Sequence, residues 1–234
     1  MNKEKTLIIV GINSGIGSKI FTNNKKKYKL IIGTYNKNKP DIESNNLILQ
    51  KFDFSNQSQI IKFSNYIEEL NINNIDYINT IAIAIDKLIV DISFDDFEQM
   101  ISVNIKQNFF IVKSLIKKMI NDRYGRIIHL TSSKALKGDT GSTLYSLSKS
   151  SILGFSRSLA KEYSRFNITS NVISLGFFQT NLWDRLAEEK QKALLNETFI
   201  KKVGNIDNVL NSFNYLIDSP YITGSVLNVD GGLT

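Results

Sequence analysis

The chain has 234 residues, 42% hydrophobic and 22% charged, which suits one globular domain with a sizeable core. It has no cysteine and a single histidine, His129, which excludes disulfides, thiolate catalysis and Cys- or His-rich metal sites. The 29 Lys and Arg against 22 Asp and Glu give a formal charge of +7, but only Lys25–Lys27 form a run, so a solvated surface is expected rather than a nucleic-acid stripe.

Thr6–Val10 reads as the first strand, and its apolar run Leu7–Val10 is too short for a secretory leader. No stretch reaches transmembrane length, so a soluble, cytoplasmic chain that makes no use of membrane is expected. The turn Gly11-Ile12-Asn13-Ser14-Gly15-Ile16-Gly17 follows and opens the helix Ile16–Asn24. Glycines there let the backbone approach a pyrophosphate, and the N–H groups of the helix start bind it. Strand Lys29–Thr34 runs into Thr34-Tyr35-Asn36-Lys37-Asn38-Lys39, with no carboxylate for a ribose 2′-hydroxyl and with Lys37 available to a 2′-phosphate. That favours NADP(H) over NAD(H). Strand Leu47–Phe52 ends at Asp53, a candidate for an adenine edge or an ordinary strand-end turn residue.

Helix Gln57–Leu70, strand Ile75–Ala84 and a long helix Phe94–Ile120 come next. Asn104 lies inside that helix, where an amide is costly unless bonded; it either bends the helix or holds a water in a proton relay. Strand Arg126–Leu130 leads to Ser132, whose hydroxyl falls at a strand's carboxyl end, where doubly wound sheets bind ligands. Helix Leu144–Phe166 carries Tyr145 and Lys149, four residues apart on one face. A cation about 4 Å from a phenol is worth roughly 4 kcal/mol at an effective dielectric near 20, or roughly three pKa units. That would bring the phenol into the range of a proton donor for a carbonyl undergoing reduction. Strand Ser170–Ile173, a polar cover segment Thr180–Gly204, helix Ile206–Ile217 and strand Val226–Val229 complete the chain. Several strands are apolar on both faces, and the β-α alternation predicts a doubly wound parallel α/β sheet, the Rossmann arrangement, in a single domain.

Taken together, Gly11, Gly15, Gly17, Asn104, Ser132, Tyr145 and Lys149 resemble the cofactor turn and catalytic tetrad of the classical short-chain dehydrogenases/reductases. Asn171-Val172-Ile173-Ser174-Leu175-Gly176 and Tyr221-Ile222-Thr223-Gly224 … Asp230-Gly231-Gly232 are similar to two further family motifs, so the resemblance spans essentially the whole chain. It implies Tyr145 as acid/base, Lys149 lowering its pKa and holding the nicotinamide ribose, Ser132 orienting the carbonyl and Asn104 completing the relay. It implies a nicotinamide cofactor held by Gly11, Asn13, Ser14, Gly15, Ile16, Gly17, Asn36, Lys37, Asp53, Phe54, Ala82, Tyr145, Lys149, Gly176, Phe178 and Thr180, with no metal. It also implies a homodimer or homotetramer built on the two long helices.

Three positions depart from the family. Thr80-Ile81-Ala82-Ile83 stands for N-N-A-G, Leu175 for the Pro before Gly176, and Val10 for the Thr or Ser before Gly11. Ile83 replaces a glycine that makes room beside the cofactor, so an altered cofactor site is expected. His129 is expected to pack in the sheet, Phe109–Phe110 to be core or oligomer contact, and Trp183 either to line a substrate pocket or to pack. Three functions stay open. The first is a 3-oxoacyl-carrier-protein reductase, whose acidic carrier Arg123 and Arg165 would suit. The second is a sugar or polyol ketone reductase, and the third a non-catalytic nucleotide-binding scaffold.

Overall fold

The structure is a computed structural model describing residues 4–179 and 183–234. The elements are β1 (Thr6–Val10), α1 (Gly15–Asn24), β2 (Leu30–Tyr35), β3 (Leu47–Lys51), α2 (Gln57–Glu69), β4 (Ile75–Asn79), α3 (Phe94–Ile101) and α4 (Gln107–Asp122). After these come β5 (Gly125–Ser132), α5 (Lys134–Lys137), α6 (Thr143–Tyr163), β6 (Ile168–Leu175), α7 (Glu188–Glu197), α8 (Ile206–Asp218) and β7 (Val226–Val229). The strands form one parallel sheet in the order β3-β2-β1-β4-β5-β6-β7. The order reverses between β1 and β4, and the crevice outside their carboxyl ends is where such sheets bind ligands.

Every residue of β1 is buried, and its side chains divide by the two-residue period of a strand. Ile8 and Val10 join a core with Phe63, Ile111, Leu115 and Leu159, supplied by α2, α4 and α6. Leu7 and Ile9 join the opposite core with Ile20, Val209 and Phe213, supplied by α1 and α8. Burial on both faces explains why β1 reads as a continuous apolar run.

Two elements differ from the expected ones. The fourth strand ends at Asn79 rather than Ala84, because its ladder with β1 closes at Val10↔Asn79. Beyond it the Asn79 side chain accepts from the Ile81 N–H (3.0 Å), and the Asn104 side chain takes the backbone of Ile83. The helix expected over 94–120 is interrupted by a π-helical turn, Ser102–Lys106, which contains Asn104. Such a turn re-aims the side chains within it and recurs at functional sites.

Candidate active site

The glycine turn is built by its neighbours. Gly11 has φ +86°, a left-handed conformation that costs a side chain dearly, and a Cβ there would lie 2.7 Å from both Thr80 Oγ1 and Ile81 Cγ1. Ser14 caps α1 by accepting from the Gly17 N–H at 2.9 Å. The N–H groups of Gly15 and Ile16, in the helix's first turn, have no partner in the helix ladder and suit an anion. A Cβ on Gly17 would stand 2.4 Å from the Gly11 carbonyl oxygen, so close approach of turn and helix requires glycine there. The cradle therefore fits a pyrophosphate in shape and in donor chemistry.

Two threonines bracket this turn. On the β2 side, the Thr34 hydroxyl accepts from the Gly11 N–H at 3.0 Å. On the β4 side, Thr80 Oγ1 lies 2.9 Å from the carbonyl oxygens of Val10 and Gly11 and 2.8 Å from Ser14 Oγ. Since the one Thr80 proton is shared by the two carbonyls, Thr80 Oγ1 is left to accept from the Ser14 hydroxyl. Val10 has no hydroxyl, and the hydroxyl that meets its carbonyl comes from Thr80, the residue just beyond the facing strand β4.

The residues expected at the adenosine end converge. Ser55 holds the Asp53 carboxyl below its ordinary value through its hydroxyl and its N–H (2.7 and 3.0 Å); burial opposes this, and Lys37 and Asn36 add to it. Asn13 donates to the Asn38 carbonyl at 3.3 Å, tying the glycine turn to the loop after β2. Phe54 is otherwise placed: its ring is buried against Phe52 and Phe63, which leaves only its backbone to a ligand. Ile16 packs partly into the core beside α8.

Ser132, at the end of β5, shares the lining of one cavity with Tyr145, and its hydroxyl is close enough to bear on the phenol. Burial holds that phenol above its ordinary value, the Ser132 hydroxyl opposes this, and the Asp86 carboxylate raises it further. Lys149 lies 5.9 Å from the Tyr145 ring centre and donates to the Leu130 carbonyl at 3.1 Å; burial pushes its ammonium down to about 8. The lowering of the phenol expected from Lys149 is not among the influences on it in this arrangement, and burial sets the direction. Asn104 accepts from the Ile83 N–H and donates to the Ile83 carbonyl (both 2.9 Å), to Met100 Sδ (2.9 Å) and to Ser148 Oγ (3.0 Å). Its amide joins the β4 exit to the helix of Tyr145.

Ser132 and Tyr145 open into a cavity of about 590 Å³ that Gly176, Phe178 and Trp183 also line. Trp183 thereby takes the pocket-lining reading, with its ring 5.7 Å from that of Phe177. Ala82 is exposed beside the β4 exit, and Thr180 lies outside the described residues. His129 packs within the sheet and does not line this cavity: its Nδ1 meets Asn108 at 3.1 Å, and burial, with the charge of Lys149 adding, drives its pKa down to about 3. Sequence reasoning missed Asp86, Lys134, Asp139 and Ser142, which line the same cavity. For Lys134, Asp139 and Ser142 the polar composition of the segment between Ser132 and Tyr145 was the available signal. Among the described residues, no three or more His, Cys, Asp or Glu gather as a metal site, and no helix is long and apolar enough to cross a membrane.

Residues 11–234 match the family model described as enoyl-(acyl carrier protein) reductase. The chain is 31% identical over 239 residues to the 3-oxoacyl-[acyl-carrier-protein] reductase FabG of Buchnera aphidicola subsp. Schizaphis graminum, covering 99% of this chain and 98% of that one. It is 36% identical over 164 residues to carbonyl reductase family member 4 of Xenopus laevis, covering 70% and 68% of the two chains. In fold it is similar to a short chain dehydrogenase family protein from Francisella tularensis subsp. tularensis SCHU S4, with TM-score 0.86, 20% identity and coverage of 97% and 98%. An NADPH-bound ElxO structure is similar to the same degree, with TM-score 0.86, 23% identity and 98% of each chain covered.

Proposed function

The chain belongs to the short-chain dehydrogenase/reductase family of NAD(P)-dependent oxidoreductases, and from that premise we propose that it reduces a ketone to a secondary alcohol with NADPH. The meeting of Ser132 and Tyr145 at one cavity, with Lys149 a helical turn further along α6, carries the reading. The nicotinamide, when bound, supplies the hydride for the carbonyl carbon. Ser132 donates to the carbonyl oxygen and fixes its direction. Tyr145 delivers a proton to that oxygen as negative charge develops on it, and the Lys149 ammonium stabilises the phenolate left behind. Asn104 acts as a positioning residue through Ile83 and Ser148. The reading includes a single nucleotide-binding domain acting in the cytoplasm, with residues 180–204 covering the substrate.

The glycine turn and Ser14 would take the pyrophosphate, with Asn13 at its rim. Asp53 and the Phe54 backbone would take the adenine, and Ala82, Gly176, Phe178 and Thr180 would take the nicotinamide end. Thr80→Val removes the hydroxyl that organises the cradle. It is expected to weaken NADPH binding about ten-fold, as for one or two lost hydrogen bonds, with kcat at saturating NADPH little changed and Thr80→Ser restoring affinity. Titration by nicotinamide fluorescence reads this. Asn36 and Lys37 are assigned to the 2′-phosphate. Lys37→Ala should therefore weaken NADPH on the order of ten-fold, the scale of a charge-assisted hydrogen bond, and leave NADH unchanged. Equal losses for both nucleotides would remove Lys37 from the site.

The names of the curated relatives support a 3-oxoacyl group on an acyl carrier protein as substrate, and the charge of +7 agrees with an acidic partner. Arg123 and Arg165 are adjacent (Arg123 Nη2 to the Arg165 carbonyl, 3.3 Å), but at the far edge of the sheet from Tyr145. The eight residues of β5 put roughly 23 Å between the two edges. In a carrier-linked reaction this pair would serve the pocket of a second copy. The half-exposed Phe109 and Phe110 and the apolar groove between α4 and α6 suit such a homodimer or homotetramer. Consumption of NADPH with an acetoacetyl thioester or another small ketone, followed by absorbance, tests the reaction. Binding of NADPH without turnover of any ketone would favour a non-catalytic scaffold instead.

A further inference from the structure

The cavity above Tyr145 has two chemically different walls. Along one side runs a line of polar groups from the segment before α6 and the β4 exit. The Ser142 hydroxyl lies 3.4 Å from an Asp86 carboxylate oxygen, Lys134 Nζ donates to Ser142 Oγ at 2.9 Å, and the same ammonium pairs with Asp139 at 2.8 Å. All four residues line the cavity together with the reacting Ser132 and Tyr145. The residues after β6 that line it are mostly apolar and aromatic, with Phe177 and Trp183 foremost and Lys190 the one charged group among them.

An alkyl chain laid in this cavity would strip water from two carboxylates and an ammonium while giving them no hydrogen bond, which costs free energy at each group. A hydroxyl group behaves differently. It donates to a carboxylate and accepts from an ammonium, so neighbouring hydroxyls can satisfy both kinds of group along the line. The carbon–hydrogen face of such a molecule can rest on the aromatic wall, where apolar area is removed from water. Resting on the ketoreductase reading above, we infer that the pocket selects a small polyhydroxylated ketone, a ketose or keto-sugar, over a long acyl chain. Lys134, Ser142 and the carboxylates of Asp86 and Asp139 determine that specificity.

The test uses the full chain with saturating NADPH and two panels of probes. One holds dihydroxyacetone, L-erythrulose and a keto-hexoside, and the other acetoacetyl and long-chain 3-oxoacyl thioesters of N-acetylcysteamine. The inference expects kcat/KM at least about ten-fold higher for the best hydroxylated ketone than for the best long-chain thioester, the difference made by one or two charge-assisted hydrogen bonds. Lys134→Met should then raise KM for the hydroxylated ketone about ten-fold, with a smaller change in kcat and the same NADPH affinity. Should that variant fail to fold, Ser142→Ala removes a single hydroxyl from the same line and should move KM in the same direction. Preference for long-chain thioesters would overturn the inference and leave the ketoreductase reading standing. A hydroxylated-ketone preference that neither variant alters would overturn the role given to this wall. Turnover of neither panel while NADPH binds would overturn the ketoreductase reading, and the inference with it.

Discussion

Tyr145→Phe is expected to lower kcat about a thousand-fold, within the range contributed by a positioned general acid, while the Kd for NADPH stays within roughly two-fold. The substitution removes one oxygen and keeps the ring, so the packing of α6 against the sheet is retained. What is lost is the proton that must reach the carbonyl oxygen as the hydride arrives at carbon. The phenol sits above its ordinary value because it is buried, so it holds its proton throughout the neutral range, as a reductase's acid must. Its conjugate base then depends on nearby positive charge, and the only cation set one turn along the same helix face is Lys149, 5.9 Å from the ring centre. Single-turnover rates beside a fluorescence titration of NADPH separate chemistry from binding. A variant that keeps the full rate would place the acid elsewhere.

Gly17→Ala is expected to weaken NADPH and NADH alike by ten- to a hundred-fold, the equivalent of about 1–3 kcal/mol of overpacking at the turn. The added methyl would lie 2.4 Å from the Gly11 carbonyl oxygen and 2.9 Å from Ile12 Cα, both backbone atoms that no rotamer change can move. Relief requires the turn to open, which moves the Gly15 and Ile16 N–H groups off the phosphate and breaks the Ser14 cap. Thermal melting run beside the titration tells local damage from unfolding. Unchanged affinity with an unchanged melt would mean that the phosphates do not sit on this turn.

The parts of the site legible in the sequence are those whose chemistry is local. Glycines at Gly11, Gly15 and Gly17 announce a backbone that must turn and approach closely, and a strand before and a helix after them are visible in the apolar pattern. Tyr145 and Lys149 announce a shared helix face by spacing alone. The end of β4 was not legible, because Ile81–Ala84 continues the apolar run and nothing in it records that β1 has ended. The π-helical turn was hidden for a related reason. A single wide turn leaves a helical apolar pattern on either side of it, and the bond from the Gln107 N–H to the Ser102 carbonyl, five residues back, is what marks it.

The sequence by itself determined the doubly wound sheet, the close-packed glycine turn and the choice of Ser132, Tyr145 and Lys149 as candidate reacting groups. These follow from side-chain period, glycine's freedom and helix spacing, which act over a few residues. Only the tertiary structure decided the electrostatics and the company those groups keep. Burial raises the Tyr145 phenol and depresses Lys149, against the expectation drawn from the pair alone, because desolvation depends on everything packed around a group. Thr80 reaches the glycine turn, and Asp86 reaches Ser142, across 66 and 56 residues of chain, contacts that exist once the sheet has brought the strand ends together.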